Sequence, residues 1–373
     1  MAAIRILHLL NTLSDASLNR LVLSLVRGLD GGRYELHVGC LFGGGPFADE
    51  MSRAGARVVN FEMQGYRDLA VINRLSRYIR SHDVQLLHTH ILRADLVGWL
   101  SVRLARRCHL FATKHNLGYV RGEKRHVLRN LLYCVSLYMP DLVISVSDSM
   151  RQRMVRLPGL SEERFATVHN GIDADHYFAP EAREACRREM GIRDGIHVIG
   201  YVGRLAAGKG LETLIESMPA VLQKRPGTRL LLVGEGPLRD ALVDLAEDTG
   251  VASKLIFTGF RAHVPRVLAA LDLFVLPSLA EGFPLSVLEA MAAAKPIVAT
   301  RIAGVVEQIE DEVTGLLVPP GDRAALAGAV LRLLEDKDLA ERIARRAQRR
   351  AREEFTLQRM VEDYDALYRK LLA

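Results

Sequence analysis

The chain has 373 residues, 49% hydrophobic and 25% charged, the make-up of a soluble globular protein with enough core for two or more domains. Its formal charge is +6 and its pI about 9.2, a surface that attracts anions. Only 6% of residues are aromatic and no RNA-binding signature occurs, which excludes nucleic acid as a partner, while four cysteines without a CxxC pair (Cys40, Cys108, Cys134, Cys186) exclude a zinc site or disulfide framework and point to a reducing cytoplasm.

The opening "MAAIRILHLLNTLSD" lacks the strongly basic start and small-residue cleavage site of a signal peptide, and reads as a first buried strand. β-branched and apolar runs predict strands at 4–10, 34–41, 57–63, 84–90, 109–115, 142–147 and 166–170 in the first half. In the second half they predict strands at 197–205, 229–234, 254–259, 273–277 and 296–300. Helix-period segments lie between them, for example 18–29, 211–224 and 238–249. That alternation makes parallel sheets with helices on both faces. The strands are too many for one sheet, and the turn-rich piece "HNGIDADHYFAPEAREACRREMGIRDG" separates two Rossmann-like domains, 1–178 and 179–355. Each such sheet presents its site at the carboxyl ends of its strands, so two of them facing each other enclose a cleft.

Two stretches stand out from this pattern without being strands. Residues 120–141 join Arg121, Lys124, Arg125 and Arg129 to a run rich in leucine and tyrosine. This is either a buried helix with a charged start or a helix resting on an anionic membrane. No run reaches membrane-spanning length without charge, since the apolar stretch 268–279 carries Asp272 in its middle. The basic run "ERIARRAQRRAREEF" has helical spacing and reads as a solvated face.

Three strand ends in the second half carry chemistry. In "GYVGRLAAGKG", Arg204 and Lys209 follow a strand in a glycine-rich loop, two cations suited to a diphosphate or, equally, to an exposed turn. The P-loop pattern GxxxxGK[ST] is absent there, and no GxGxxG follows the first strand. In "LLLVGEGPLRDAL", Gly234 and Gly236 make a tight strand-to-helix turn. In "EGFPLSVLEAMAAAKPIVAT", Glu281 sits in a loop and Glu289 inside the helix that starts near Leu285. Amides at a helix start hold anions, and carboxylates there accept from sugar hydroxyls. Glu289 lies in a mostly apolar helix, which suits a ligand better than an idle surface.

These motifs together resemble the retaining glycosyltransferases of the GT-B fold, family 4. The resemblance spans nearly the whole chain. It rests on "GRLAAGKG", "VGEGP", the "GF" at 259–260, "PSLAEGFPLSVLEAMAAAKPIVAT", "EVTGLLVPPGD" and the linker "VHNGID". It implies a two-domain α/β enzyme whose second domain binds a nucleotide-diphosphate sugar, UDP- or GDP-linked, and whose last segment, 356–373, is a helix packing on the first domain. It implies that Glu281 binds the donor sugar, Glu289 the ribose, Arg204 and Lys209 the diphosphate, and the backbone near Arg261 the base. Gly203, Gly234, Glu235, Gly282, Phe283, Pro284 and Leu285 complete the donor site, and His115 stands by the anomeric centre. It implies no metal and no cofactor beyond the donor.

His88 and His90, with Tyr119 and Arg121, are candidates for the acceptor side, the two histidines being equally suited to satisfying nearby loops. The family's usual Gly-Gly pair in the first strand-to-helix loop is replaced by Ala16 and Ser17, with Ser14 and Ser17 offering hydroxyl donors instead. The resemblance implies a cytoplasmic enzyme, or one peripheral on the inner face of the membrane, moving a hexose or N-acetylhexosamine to a glycan or lipid-linked acceptor in bacterial surface polysaccharide synthesis. Two rivals share the architecture: a nucleotide-sugar epimerase and a non-catalytic nucleotide-sugar-binding subunit.

Overall fold

A computed structural model of the chain describes residues 3–14, 16–116 and 127–372, and of Ala16 the backbone alone. Tyr119, Arg121, Lys124 and Arg125 lie outside the described residues. The chain forms two compact units, one of residues 1–171 with 357–373 and one of residues 172–356. The sequence places the boundary after residue 178. In the structure it follows Gly171, because Ile172 pairs with Thr356 and donates its amide to the Phe355 carbonyl at 2.8 Å, fastening the linker into the second unit.

The first unit is built on a parallel sheet of β1 (Ile4–Leu10), β2 (Tyr34–Cys40), β3 (Arg57–Asn60), β4 (Leu86–Thr89), β5 (His109–Lys114), β6 (Leu142–Ser145) and β7 (Phe165–Thr167). Their spatial order is β3-β2-β1-β4-β5-β6-β7, so the strand order reverses between β1 and β4. Alternation along β1 sends Leu7 and Leu9 to one face, where they join Phe61, Val71, Leu87 and Leu110 in a buried core. His8 points to the other face and stands in register with His88 of β4. The helix Leu357–Leu372 belongs to this unit. Met360, Val361, Tyr364 and Tyr368 recur at helical spacing and are buried, giving the helix one apolar stripe.

The second unit carries a parallel sheet of β8 (Val198–Val202), β9 (Arg229–Val233), β10 (Leu255–Gly259), β11 (Leu273–Leu276), β12 (Ile297–Thr300) and β13 (Leu316–Val318). Its order is β10-β9-β8-β11-β12-β13, with the reversal between β8 and β11. The helix Lys337–Glu354 holds the basic run. Leu339, Ile343, Ala347 and Ala351 recur every four residues on its buried side, and most of its charged residues are exposed on the other.

Asp272, the charge inside the apolar run, opens β11. It accepts from the Val198 amide at 2.7 Å and pairs with both Arg183 and Arg187. Among the described residues no helix is long and apolar enough to cross a membrane. Of the segment 120–141, which the sequence leaves open between a buried and a membrane-facing helix, the described part forms the helix Val127–Val135, which buries Tyr133 and turns an apolar face outward. Val127 and Leu128 are each 68% exposed and Leu131 58%, with Val135 and Tyr138 exposed after them.

Candidate active site

Ligands of doubly wound sheets bind where the strand order reverses, at the carboxyl ends of the strands. In the second unit that point lies between β8 and β11. The loop after β8 brings Lys209, and the loop after β11 brings Glu281. The Lys209 ammonium donates to Glu281 Oε1 at 2.7 Å, and the Ser278 hydroxyl donates to the same oxygen at 2.8 Å. The Glu281 side chain is 13% exposed and that of Lys209 30%, so this is a partly desolvated pair rather than two surface charges. The sequence assigns the two residues to different parts of a ligand, and the structure joins them.

The loops are set by backbone packing. Gly210 caps the helix Leu211–Lys224 with φ +64°, and a Cβ there would meet the Pro277 carbonyl oxygen at 2.0 Å. A Cβ on Gly234 (φ +131°) would come equally close to the Gly203 carbonyl oxygen. The Gly203 amide donates to Val233 and the Gly234 amide to Gly259, each at 2.9 Å. Both amides are therefore spent on the scaffold, and what these glycines offer a donor is close backbone approach rather than a free N–H. Tyr201, buried beneath the loop, donates to the Arg204 carbonyl at 2.9 Å. Burial, together with the nearby Glu281 charge, pushes its phenol up in pKa. The side chains of Arg204, Glu235 and Arg261 are exposed.

The helix Leu285–Ala292 starts after Gly282, Phe283 and Pro284, all buried, with Leu285 partly so. Gln308 fixes this start by donating to the Pro284 carbonyl at 3.0 Å. The first-turn amides of such a helix have no intrahelical acceptor and present partial positive charge to an anion. One turn further in, Glu289 Oε1 accepts from the Tyr177 hydroxyl at 2.9 Å. Tyr177 belongs to the short helix Ala174–Tyr177 in the linker, which Asp173 caps, and the sequence reading did not select it. The polar tip of an otherwise buried linker tyrosine was the available signal.

In the first unit the reversal lies between β1 and β4, and four histidines gather there. His8 Nδ1 and His90 Nε2 are 3.1 Å apart, and His90 Nδ1 and His115 Nε2 3.3 Å. His88 meets the Tyr368 hydroxyl through Nδ1 and the Thr113 hydroxyl through Nε2, each at 2.7 Å. Burial lowers the pKa of His8 to about 4 and holds those of His88, His90 and His115 below the usual histidine range. His88 and His90 are enclosed by protein partners, so neither lines a surface for an acceptor, and that expectation is corrected. His115, just past β5, is the partly exposed member. His8, Tyr364 and Tyr368 went unselected in the sequence because only the sheet order brings them to this place.

His8, His88 and His90 offer ring nitrogens within 4.8 Å of one another, the spacing of a metal site. Every ring nitrogen of the three except His8 Nε2 already has a protein partner, so the trio reads as a hydrogen-bonded core cluster. Ser14 and Ser17 lie exposed on the loop and helix that follow β1, and the Ser14 hydroxyl lies 2.8 Å from that of Thr12. Ala16 begins the helix Ala16–Gly28.

Residues 196–336 match the family model described as glycosyl transferases group 1, and residues 18–176 match that of glycosyltransferase family 4. The chain belongs to the group 1 glycosyltransferases, family 4. An uncharacterised glycosyltransferase of Methanocaldococcus jannaschii is 32% identical over 63% of this chain and 61% of its own length. The N-acetyl-alpha-D-glucosaminyl L-malate synthase of Bacillus anthracis is 26% identical over 82% of this chain and 80% of its own. The crystal structure of Anabaena HepE in complex with UDP-glucose superimposes with a TM-score of 0.87 at 25% identity, covering 98% of this chain and 100% of HepE. The fold of this family 4 member is thus GT-B, two parallel α/β units in one chain.

Proposed function

We propose that this family 4 member is a retaining glycosyltransferase that moves a hexose or N-acetylhexosamine from a nucleotide-diphosphate sugar to a glycan or lipid-linked acceptor. The observation that carries the reading is the Lys209–Glu281 pair at the β8/β11 reversal, beside the start of the helix Leu285–Ala292. Breaking a sugar–phosphate bond puts negative charge on the departing diphosphate. A fixed ammonium and a helix N-terminus stabilise that charge where it develops. Arg204, exposed on the same loop, adds a second cation. Glu281, oriented by Lys209 and Ser278, accepts from sugar hydroxyls, while Glu289, oriented by Tyr177, accepts from the ribose.

UDP is the favoured base carrier, since HepE, of similar fold, was crystallised with UDP-glucose. Retention follows if the leaving phosphate itself helps deprotonate the acceptor on the face it vacates. Two cations for the diphosphate, without a carboxylate cluster of metal-ligand type among the described residues, support a metal-independent reaction. The exposed apolar face of Val127–Val135, with Arg129, supports a peripheral contact with an anionic membrane and so a lipid-linked acceptor in surface polysaccharide synthesis.

The test is a thermal-shift panel of UDP-, GDP- and ADP-sugars followed by donor turnover with and without EDTA. Stabilisation by a UDP-sugar, with turnover surviving chelation, is expected. Failure of every nucleotide sugar to raise the melting temperature would overturn the reading. Loss of turnover in EDTA with recovery on a divalent ion would overturn the metal-free mechanism alone.

A further inference from the structure

We infer that His8 and His90 are positioning residues whose hydrogen bonds fix the tautomer of His115, so that it presents Nδ1–H, a donor, to a sugar oxygen at the carboxyl edge of the first unit's sheet. The chain of contacts is His8 Nδ1 to His90 Nε2 at 3.1 Å and His90 Nδ1 to His115 Nε2 at 3.3 Å. Burial keeps all three rings neutral near pH 7. A neutral imidazole has one N–H and one bare nitrogen. His90 therefore donates in one of its two contacts and accepts in the other, and the three protons run in one direction or the opposite one.

His8 Nε2 decides the direction. It is fully buried and has no hydrogen-bond partner among the described residues. If the protons ran from His115 inward, His8 Nε2 would carry a hydrogen with nothing to receive it. If they run outward, His8 Nε2 is a buried bare lone pair. A buried orphan donor is the rarer and costlier of the two. The favoured order is His8 Nδ1–H to His90 Nε2, then His90 Nδ1–H to His115 Nε2, leaving the proton of His115 on Nδ1. That nitrogen has no partner among the described residues and belongs to the partly exposed member of the chain.

The neighbouring groups leave this order undisturbed. His88, stacked on His90 with ring centroids 4.3 Å apart, has both nitrogens engaged by the hydroxyls of Tyr368 and Thr113. Hydroxyls rotate to suit either tautomer of His88, so that ring imposes no direction on the relay. The buried ion pair of Lys114 and Asp95, 2.5 Å apart, is completed by Ser136 and Thr89 and contributes no bond to the three rings. A His115 protonated on Nδ1 donates to a sugar oxygen and leaves no lone pair on that nitrogen to act as a base. This assignment rests on the reading of that edge as sugar-binding, whereas the proton order rests on the histidines alone.

The experiment is a long-range ¹H–¹⁵N correlation spectrum of histidine-labelled protein at neutral pH, with His115 assigned from the cross-peaks lost in His115→Gln. The expected result is a protonated Nδ1 and a bare Nε2 for His115. His8→Leu removes the innermost donor, and the His115 signals should move toward a mixture of tautomers while kcat/KM falls about tenfold, the loss of one aligned hydrogen bond. His8→Asn, which places an amide near the lost Nδ1, should restore both. A wild-type His115 protonated on Nε2 overturns the inference, as does His8→Leu with unchanged tautomer and kinetics. The wild-type spectrum decides even if His8→Leu does not fold. Because that spectrum needs no turnover, an inactive protein with the expected tautomer would overturn the proposed function and leave the relay standing.

Discussion

The Lys209 ammonium and the Glu281 carboxylate, 72 residues apart in sequence, are 2.7 Å apart in the structure. Each holds the other in place, so neither is an independent ligand contact. Lys209→Ala should lower kcat by roughly 10²–10³, the usual loss when one preorganised partner of developing charge is removed. Glu281→Ala should also be strongly impaired, and the double variant should lose much less than the product of the single losses. Arg204 has an exposed side chain with no hydrogen bond or ion pair among the described residues, so Arg204→Ala should lose turnover with the melting temperature unchanged. Steady-state kinetics with melting curves on the four variants measures all of this. Multiplicative losses for Lys209 and Glu281 would show that the pair does not act as a unit.

Tyr177 holds Glu289 from the linker. Glu289→Ala should weaken both the donor and the free nucleoside diphosphate, because its proposed partner is the ribose. Tyr177→Phe should reproduce part of that loss, about tenfold in Kd, by removing the hydroxyl that donates to this charged acceptor. Glu281→Ala should leave nucleoside diphosphate affinity near normal. Titration calorimetry on the three variants separates these outcomes, and equal losses for Glu281 and Glu289 would remove the division of labour.

Asp272 ties β11 to Arg183, Arg187 and the Val198 amide. Burial alone would raise its pKa, but the Val198 amide and the two guanidiniums outweigh it and hold the carboxyl below its ordinary value of 3.8. A folded-state pKa below the unfolded one contributes stability that is present above the unfolded value and lost as pH falls through the folded value. Denaturant melts should therefore lose stability below about pH 4 in the wild type, and Asp272→Asn should flatten that slope. At neutral pH the substitution should cost about 3 kcal/mol, the low end for a broken buried pair.

The helix Val127–Val135 turns leucine and valine outward. If that face rests on a membrane, the wild type should sediment with vesicles containing phosphatidylglycerol and release at high salt. Leu128→Glu with Leu131→Glu should abolish sedimentation with the melting temperature unchanged, since both side chains are already exposed. Wild-type protein that stays in the supernatant would end the membrane reading.

Much of the fold was legible because period-2 and period-3.6 patterns are local. β1 runs over the span the sequence predicts, and the helix Leu211–Lys224 likewise. β13 was missed because its three residues sit between a glycine and a pair of prolines, too short to show a period. Asp272 showed in the sequence as a charge interrupting an apolar run, but its two arginine partners are set by tertiary packing. The cations and carboxylates of the candidate site were each legible, whereas their pairing required the order β9-β8-β11, which no local pattern encodes. His8 is a polar residue within an apolar strand, and only the sheet register sets it opposite His88.

The helix Leu357–Leu372 covers the histidine face of the first unit, although the whole second unit lies before it in the chain. A ribosome therefore delivers residues 3–171 long before the tyrosines that close over His88, from which Tyr368 is 280 positions away. Until that helix emerges, His88 and Thr113 lack the hydroxyls of Tyr368 and Tyr364, and the nascent domain carries an open polar seam. Completion of the first unit is thereby postponed until the second unit has been synthesised and is available to fold.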